Sequence, residues 1–358
     1  MIDDQYYMHR ALELARRGAG LTSPNPMVGA VIVKGGKIIG EGWHEKFGEA
    51  HAEVNAVKKA VAPVSGATIY VTLEPCSYHG KTPACAPMLV REAFRRVVIA
   101  VRDPNPKVSG AGIEILKQNG IEVTEGIESK LARQLNQPFF KAMQVSLPYL
   151  IHKSAVTIDA FIADSQGQSK WISCEESRRT VHQLRAEADA VLVGVNTVLA
   201  DDPELTVRLI QGRNPKRIIA DPNCRTPFNA KMVQTASEAE TFIISREKSW
   251  RHSPLKNSPL IPLLFEGEMI PWDEMLKTIL QQGIQSILVE GGAILQSSLI
   301  AAGHLDRLEL FISPKSIGKG HRMMQFLEKK MGEADAGIHN TWKVSGEDAH
   351  LSSTYRVY

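Results

Sequence analysis

The residues His51-Ala52-Glu53, followed by Pro75-Cys76 and then by Cys85, determine the fold and chemistry expected for the first part of the chain. Zinc binds one imidazole and two thiolates in a tetrahedral site and leaves its fourth position open for water. His51, Cys76 and Cys85 match that ligand set, and Glu53 supplies an unligated carboxylate that can move a proton. The pattern therefore predicts a hydrolytic zinc centre with Glu53 as its catalytic residue.

Local geometry is consistent with this ligand set. A helix over residues 52–62 places His51 and Glu53 at its first turn, where both can face one metal. A second helix begins near Cys85, and the helix dipole there favours a thiolate. The alternatives are a packing role, which is the usual role of a lone His or Cys, and a structural zinc. A structural zinc is normally closed by a fourth protein ligand, and the sequence offers no evident candidate.

The order His-x-Glu and then Pro-Cys resembles the signature of zinc deaminases. Eight residues separate Cys76 from Cys85. This interval, and Ser23-Pro24-Asn25-Pro26-Met27-Val28-Gly29 upstream, resemble the deaminase domain of the bifunctional riboflavin-biosynthesis deaminase/reductase family. Ala84 stands where that family often has a second proline. A nucleoside or tRNA zinc deaminase is the alternative, but those enzymes usually keep two residues between the cysteines.

Length and composition limit the remaining possibilities. The 358 residues predict two domains, at 1–146 and 147–358, and 43% hydrophobic with 23% charged residues is typical of a globular protein. No apolar run is long enough for a membrane span, and we see no signal-peptide core. The four cysteines predict a reducing, cytoplasmic compartment rather than a disulfide framework. A net charge of +3 with scattered basic residues argues against a nucleic-acid partner.

Strands alternating with helices predict an α/β fold for the first domain, a three-layer α/β/α sandwich that the resemblance makes cytidine-deaminase-like. Four residues are candidates for holding substrate there: Asn25, His44, His79 and Lys81. Asn25 lies between two prolines, so a rigid loop presents its amide to a pyrimidine edge. A simple turn role for Asn25 and a surface position for either histidine are the alternatives.

The second half carries two segments that indicate a binding site. Residues 194–208 are polar, have little hydrophobic periodicity and follow a strand, which is typical of a functional loop. Val289-Glu290-Gly291-Gly292 is a strand that runs into a glycine turn and a helix N-terminus, where backbone N–H groups can approach a pyrophosphate. Gly-x-Gly-x-x-Gly is absent, so a Rossmann fingerprint is not claimed.

These segments, with Ser169-Lys170-Trp171, are similar to the reductase domain of the same family, which is dihydrofolate-reductase-like and uses NADPH. The resemblance implies NADPH contacts at Ala155, Trp171, Thr197, Asp201, Gly291, Gly292 and Ala293, the last three within a turn extending to Ser297. It implies substrate contacts at Ser169, Arg185, Leu205, Arg208 and Glu290. The guanidinium groups of Arg185 and Arg208 are suited to binding the substrate phosphate, because each can form two parallel hydrogen bonds to it. Ala160 departs from the family's usual glycine, which puts close backbone approach at that position in question.

We therefore expect a cytoplasmic enzyme with one Zn²⁺ per chain and NADPH as cofactors. The first domain would deaminate 2,5-diamino-6-ribosylamino-4(3H)-pyrimidinone 5′-phosphate, and the second would reduce the ribosyl group to ribityl. The expected partners are this small-molecule ribosyl-phosphate pyrimidine and further copies of the chain in a homo-oligomer, with no nucleic acid and no membrane. The remaining alternative is a deaminase whose second domain is inactive or regulatory.

Overall fold

The structure is a computed structural model that describes residues 3–78, 83–106, 108–167, 172–322 and 339–358. The chain divides into two compact units, residues 1–146 together with Tyr358, and residues 147–357. Each unit has its own sheet and its own hydrophobic core, and each is described separately below.

The first unit is built on a five-stranded sheet in the order β2-β1-β3-β4-β5. The strands are β1 (Gly29–Lys34), β2 (Lys37–Trp43), β3 (Thr68–Val71), β4 (Arg96–Ile99) and β5 (Glu122–Glu125). The helices are α1 (Asp4–Arg16), α2 (Ala52–Lys58), α3 (Cys85–Arg91), α4 (Ala111–Gln118), α5 (Ser129–Leu135) and α6 (Gln137–Val145). Strand β1 is antiparallel to both of its neighbours, and β3, β4 and β5 are parallel.

The alternation of side chains along β1 explains the layers of this unit. Ala30 and Ile32 pack with residues of α2, α3 and α4 in one buried cluster, whereas Val31 and Val33 pack with residues of α1, α5 and α6 in another. Helices therefore cover both faces of the sheet. The predicted three-layer α/β/α sandwich is confirmed.

The second unit contains a nine-stranded sheet in the order β11-β10-β9-β8-β12-β6-β13-β16-β15, and a two-stranded sheet formed by β14 and β7. The strands are β6 (Tyr149–Thr157), β7 (Phe161–Asp164), β8 (Ala190–Gly194), β9 (Lys216–Ala220), β10 (Thr241–Arg246), β11 (Ile261–Phe265), β12 (Ser286–Val289), β13 (Arg307–Ser313), β14 (Gly320–Arg322), β15 (His339–Ser345) and β16 (Asp348–Thr354). The α-helices are α7 (Glu175–Glu187), α8 (Val195–Asp201), α9 (Lys231–Gln234), α10 (Glu247–His252), α11 (Trp272–Gln281) and α12 (Ala293–Ala301).

In the order just given, the first seven strands of the large sheet, from β11 to β13, are parallel to one another. The last two strands, β16 and β15, are each antiparallel to the strand before them. Strands β8 and β12 are neighbours near the centre of the sheet. After β8 the chain continues to β9 on one side of this pair, whereas after β12 it continues to β13 on the other side. In parallel α/β sheets, ligands bind beyond the carboxyl ends of strands at such a switch point.

Two predicted element boundaries differ from the structure. The helix that begins at Ala52 ends at Lys58 rather than at residue 62. The Val61 N–H instead donates to the Ile39 carbonyl oxygen at 2.8 Å, which carries the chain away from the helix axis. The segment 194–208, expected to be irregular, begins with helix α8, whose Val195 and Val198 are buried. Its remainder, residues 202–208, has no regular structure.

Among the helices of the described residues, none has both the length and the apolar character that crossing a bilayer requires.

Candidate active sites

Three potential metal ligands converge in the first unit. His51 is the N-cap of α2, and Cys85 is the first residue of α3. The Nδ1 atom of His51 lies 3.6 Å from Cys76 Sγ and 3.4 Å from Cys85 Sγ. With Zn–N and Zn–S bonds of usual length, a tetrahedral zinc separates its nitrogen and sulfur ligands by about 3.6 Å. The three side chains therefore fit a zinc ion without rearrangement.

The charges of the cluster suit a cation. Hydrogen bonds from the Cys85 thiol and from His51 lower the pKa of Cys76 to about 4, so Cys76 is a thiolate, the form that binds metal. Its sulfur also accepts the Cys85 backbone N–H at 3.3 Å. Glu53, on the first turn of α2, is 3% exposed, and this burial raises the pKa of its carboxyl. A carboxyl whose pKa lies closer to neutrality is better suited to proton transfer.

Asn25 and His44, two of the predicted substrate contacts, are joined to each other beside His51. The Asn25 Nδ2 atom lies 3.2 Å from His44 Nε2, and the rings of His44 and His51 are 5.5 Å apart. His44 Nδ1 lies 3.1 Å from the Ala50 carbonyl oxygen, which can only accept, so Nδ1 carries the proton and Nε2 accepts from Asn25. Burial lowers the pKa of His44, which keeps the ring neutral. His79 and Lys81 lie outside the described residues.

Two residues that sequence reasoning missed support this site. The buried Glu74 carboxylate accepts backbone N–H groups of Asp103, Gly110, Gly112 and Ile113 at 3.0–3.4 Å. It thereby caps α4, whose own N-cap is a glycine. Asn136 exchanges two hydrogen bonds of 2.8 Å with the backbone of Met27 and so holds the loop that carries Asn25. The position of Glu74 directly before Pro75-Cys76 was a sequence signal that it could support the site. No sequence pattern singled out Asn136.

The second unit contains a cavity of about 690 Å³ at the carboxyl ends of β6, β8 and β12. Of the predicted cofactor contacts, Ala155, Thr197, Asp201, Gly291, Gly292 and Ala293 line it. Of the predicted substrate contacts, Arg185, Leu205, Arg208 and Glu290 line it. Ser169 and Trp171 lie outside the described residues. Residues that are far apart in sequence thus meet around one space.

The turn before α12 fits a dinucleotide phosphate or a nicotinamide ring. Gly292 is the N-cap of the helix, and no side chain caps its first turn. A Cβ atom added at Gly292 would meet nothing within 4 Å, so the backbone is open to a ligand there. Gly291 has less space, because a Cβ there would lie 2.7 Å from Leu295 Cδ2 and the Leu295 side chain would have to shift. The free N–H groups at this helix end can bind an anion.

Arg185 and Glu290 are joined by two hydrogen bonds in the cavity wall. Arg185 Nε lies 2.6 Å from Glu290 Oε1, and Nη2 lies 2.9 Å from Oε2. Burial raises the pKa of Glu290, but the charge and hydrogen bonds of Arg185 and the charge of Lys153 outweigh burial and lower it. The sequence interpretation gave Arg185 to a substrate phosphate. In the structure, Glu290 occupies one edge of the Arg185 guanidinium bidentately, and Nη1 donates to the Thr206 carbonyl oxygen.

Arg208 is the more accessible of the two predicted phosphate-binding arginines. Its side chain is 53% exposed, and its Nη1 atom lies 3.0 Å from the Glu204 carboxylate. Lys153, which also lines the cavity, was missed by sequence reasoning, although a lysine within a strand predicted to be buried was a signal. Burial lowers the pKa of Lys153.

Comparisons with known proteins match both parts of the chain. The family model for the cytidine and deoxycytidylate deaminase zinc-binding region matches residues 1–101, and that for the RibD C-terminal domain matches residues 148–341. The riboflavin biosynthesis protein RibD of Aquifex aeolicus (strain VF5) is 45% identical over 88% of this chain and 88% of its own. The chain belongs to the RibD family.

Solved RibD structures cover nearly the whole chain. RibD from Acinetobacter baumannii (form 1) is 37% identical, with a TM-score of 0.89 over 99% of each chain. The diaminohydroxyphosphoribosylaminopyrimidine deaminase/5-amino-6-(5-phosphoribosylamino)uracil reductase of Thermotoga maritima is 34% identical, with a TM-score of 0.87 over 98% of each chain. The predicted fold class, with its cytidine-deaminase-like and reductase parts, is confirmed.

Membership of the RibD family also confirms the predicted type of function. The chain is a bifunctional riboflavin-biosynthesis enzyme, a deaminase and a reductase, and its cofactors are Zn²⁺ and NADPH. It acts on a small-molecule substrate. A nucleoside deaminase and a deaminase with an inactive second domain are thereby set aside.

Proposed function

We propose that residues 1–146 deaminate 2,5-diamino-6-ribosylamino-4(3H)-pyrimidinone 5′-phosphate and that residues 147–358 reduce the product with NADPH. The observation that carries the proposal is the presence of two separately built sites in one chain. One is the cluster of His51, Cys76 and Cys85 beside the buried Glu53. The other is the cavity that Arg208, Glu290 and the Gly291-Gly292 turn line.

In the first site we assign His51, Cys76 and Cys85 to one zinc ion, which when bound would lower the pKa of a water molecule and so supply a nucleophile. Glu53 takes a proton from the attacking water and returns it to the amine, so that the C–N bond breaks and ammonia leaves. Burial favours this cycle because it raises the pKa of Glu53. Asn25, fixed by His44 and by the Asn136 hydrogen bonds near it, presents its amide to the pyrimidine edge.

In the second site NADPH, when bound, supplies a hydride, and we assign its contacts to Ala155, Thr197, Asp201 and the turn at 291–293. Arg208 binds the 5′-phosphate with a charge-assisted hydrogen bond. Arg185 orients Glu290 toward the ribosyl group through their paired hydrogen bonds. Reduction adds hydride to the ribosyl C1′ and a proton to the ring oxygen, and we assign that proton to Lys153, whose pKa burial lowers.

We further propose that the enzyme is cytoplasmic and forms a homo-oligomer. All four cysteines are free thiols, as a reducing compartment requires. Strand β15 lies at the edge of the large sheet and exposes Trp342 (63%) and Val344 (82%). An exposed apolar edge strand is a ready site for pairing with a second copy.

The substrate assignment is tested by following ammonia release and NADPH oxidation together in the purified full chain. For each molecule of diaminopyrimidinone we expect one ammonia to be released and one NADPH to be oxidised. Glu53→Gln should abolish both signals with this substrate, yet leave NADPH oxidation intact when the deaminated compound is supplied. Full NADPH oxidation by Glu53→Gln from the diamino compound would show that reduction does not require prior deamination.

A further inference from the structure

The segment from Glu204 to Arg208 runs along the reductase cavity without regular secondary structure. Within it, Leu205 is 4% exposed and has φ of 56°, a left-handed conformation that a leucine rarely adopts. A residue persists in such a conformation only where its surroundings over-determine it. The segment must therefore be held from outside.

Side chains from other parts of the unit hold this backbone at successive positions. The contacts are Arg217 Nη1 to the Glu204 carbonyl oxygen (3.2 Å), Arg185 Nη1 to the Thr206 carbonyl oxygen (3.2 Å), Val207 N–H to Asn214 Oδ1 (2.8 Å), and Arg208 N–H to His182 Nδ1 (3.0 Å). The Arg217 contact immediately precedes Leu205. It is thus the contact best placed to fix the left-handed turn.

Arg217 lies on β9 and is completely buried. Its guanidinium donates to neutral oxygens: Thr241 Oγ1 (2.9 Å), Thr235 Oγ1 (2.9 Å), and the carbonyls of Met232 (3.2 Å), Thr235 (3.0 Å) and Ala239 (3.0 Å), besides Glu204. Burying a cation among neutral groups is costly, and hydrophobic residues often fill such positions at no loss of stability. A buried arginine here is better explained by the geometry that its rigid donor fork imposes.

We infer that Arg217 is a positioning residue for the reductase, which fixes the Glu204 carbonyl and the left-handed Leu205 so that Arg208 faces the cavity. This inference rests on the proposed role of Arg208 in binding the substrate phosphate. Arg217 acts at one remove, through the backbone of residues 204–208, and it does not line the cavity.

The test uses the full chain with Arg217→Met and Arg217→Lys, and measures KM and kcat for the deaminated substrate together with the Kd for NADPH. Misplacing a binding group by about 1 Å can cost on the order of 100-fold. We therefore expect Arg217→Met to raise KM by about 10- to 100-fold, with kcat changed less than about twofold and an unchanged Kd for NADPH. Arg217→Lys, which keeps one cationic donor, should recover part of the loss.

The double variant Arg208→Ala/Arg217→Met separates positioning from a general structural effect. If Arg217 acts through Arg208, the two increases in KM overlap, and the double variant resembles Arg208→Ala alone. Fully additive increases, a loss in kcat at unchanged KM, or weaker NADPH binding would overturn the inference. An unchanged KM in Arg208→Ala would instead overturn the proposed function of Arg208.

A milder pair of variants decides the question if Arg217→Met fails to fold. Thr235→Val removes the hydroxyl that holds Arg217 Nη1, the atom that also binds Glu204. Thr278→Val is the matched control, because each threonine also donates to the backbone carbonyl four residues earlier. A higher KM in Thr235→Val but not in Thr278→Val supports the inference, and an unchanged KM in both overturns it.

Discussion

Arg185 and Glu290 form a bidentate ion pair in the wall of the reductase cavity, with side chains only 12% and 9% exposed. Both hydrogen bonds use the Nε–Nη2 edge of the guanidinium, and Nη1 donates to the Thr206 carbonyl oxygen at 3.2 Å, so all three nitrogens of Arg185 are already engaged. Under the proposed function, phosphate binding is therefore assigned mainly to Arg208, and Arg185 keeps Glu290 ionised and oriented.

Arg185→Met should destabilise the second unit because it leaves the Glu290 charge buried and unpaired. Breaking a buried ion pair in this way costs about 3–5 kcal/mol. Since Arg185 helps to lower the folded-state pKa of Glu290, the stabilisation is present above the ordinary Glu pKa and is lost as pH falls through the folded value. Urea unfolding at neutral pH measures the loss, and Arg185→Met/Glu290→Gln should recover most of it. A loss below about 1 kcal/mol would mark the pair as no stronger than a surface salt bridge.

Arg208→Ala should weaken reduction and leave deamination unchanged. A hydrogen bond to a charged group contributes about 1.5–3 kcal/mol, so we expect KM for the deaminated substrate to rise by roughly 10- to 150-fold. Arg179→Ala is the matched control: Arg179 is also about half exposed and pairs with a glutamate four residues away, but does not line the cavity. Equal damage to ammonia release would point to misfolding or to a shared pocket.

Glu53→Gln should separate metal binding from proton transfer. The amide keeps the size of the side chain but cannot cycle a proton, so deamination should fall by about 10² to 10⁴ while zinc stays bound. Metal analysis and ammonia release measure the two effects, with the exposed Glu49→Gln as control. Deamination near the wild-type rate would assign the proton transfer to another group.

Cys85→Ser should lose zinc and deamination together, because one of three converging ligands is removed. We expect about one zinc per chain in the wild type, from the one such ligand cluster among the described residues, and almost none in the variant. NADPH oxidation with the deaminated compound should be unaffected in both. Cys224→Ser, which changes a cysteine of the other unit, should keep its zinc. Full zinc content in Cys85→Ser would mean that the ligand set is misassigned.

A fragment of residues 1–145 should deaminate on its own, whereas a fragment ending at residue 101 should not. The shorter one keeps all three potential zinc ligands but lacks Asn136, which holds the Met27 backbone, and the N–H groups that Glu74 binds. Ammonia release by both purified fragments, with zinc content as control, tests this. Activity in the 101-residue fragment would show that these supports are dispensable.

The sequence was most informative where chemistry depends on residue type and spacing. His51, Cys76 and Cys85 were predicted as one cluster because few other roles require that combination, and the structure brings the three side chains together. The ion pair between Arg185 and Glu290 joins residues 105 positions apart, so no local sequence pattern predicts it. Helix α8 was missed because its 7 residues are too few to show a clear helical period, and only Val195 and Val198 are buried.

Ala160 adopts a left-handed backbone conformation although it is not a glycine. The sequence raised doubt because alanine replaces the family's usual glycine, and the structure gives Ala160 φ of 66°. The chain therefore keeps the left-handed turn despite the Cβ atom. An L-residue in this conformation costs roughly 1–2 kcal/mol.

His51 lies 25 residues from Cys76 and 34 residues from Cys85, so an ion bound to all three closes two long loops of the chain. A disulfide around loops of that size stabilises a secreted domain by roughly 3–4 kcal/mol. In a compartment that keeps thiols reduced, a bound zinc ion can cross-link the chain in place of a disulfide and so favour the folded state. Metal supply then governs how long the molecule survives proteolysis as well as how fast it turns over, since a metal-free first unit opens more often. Zinc starvation would lower the amount of both activities, although only one of them uses the ion.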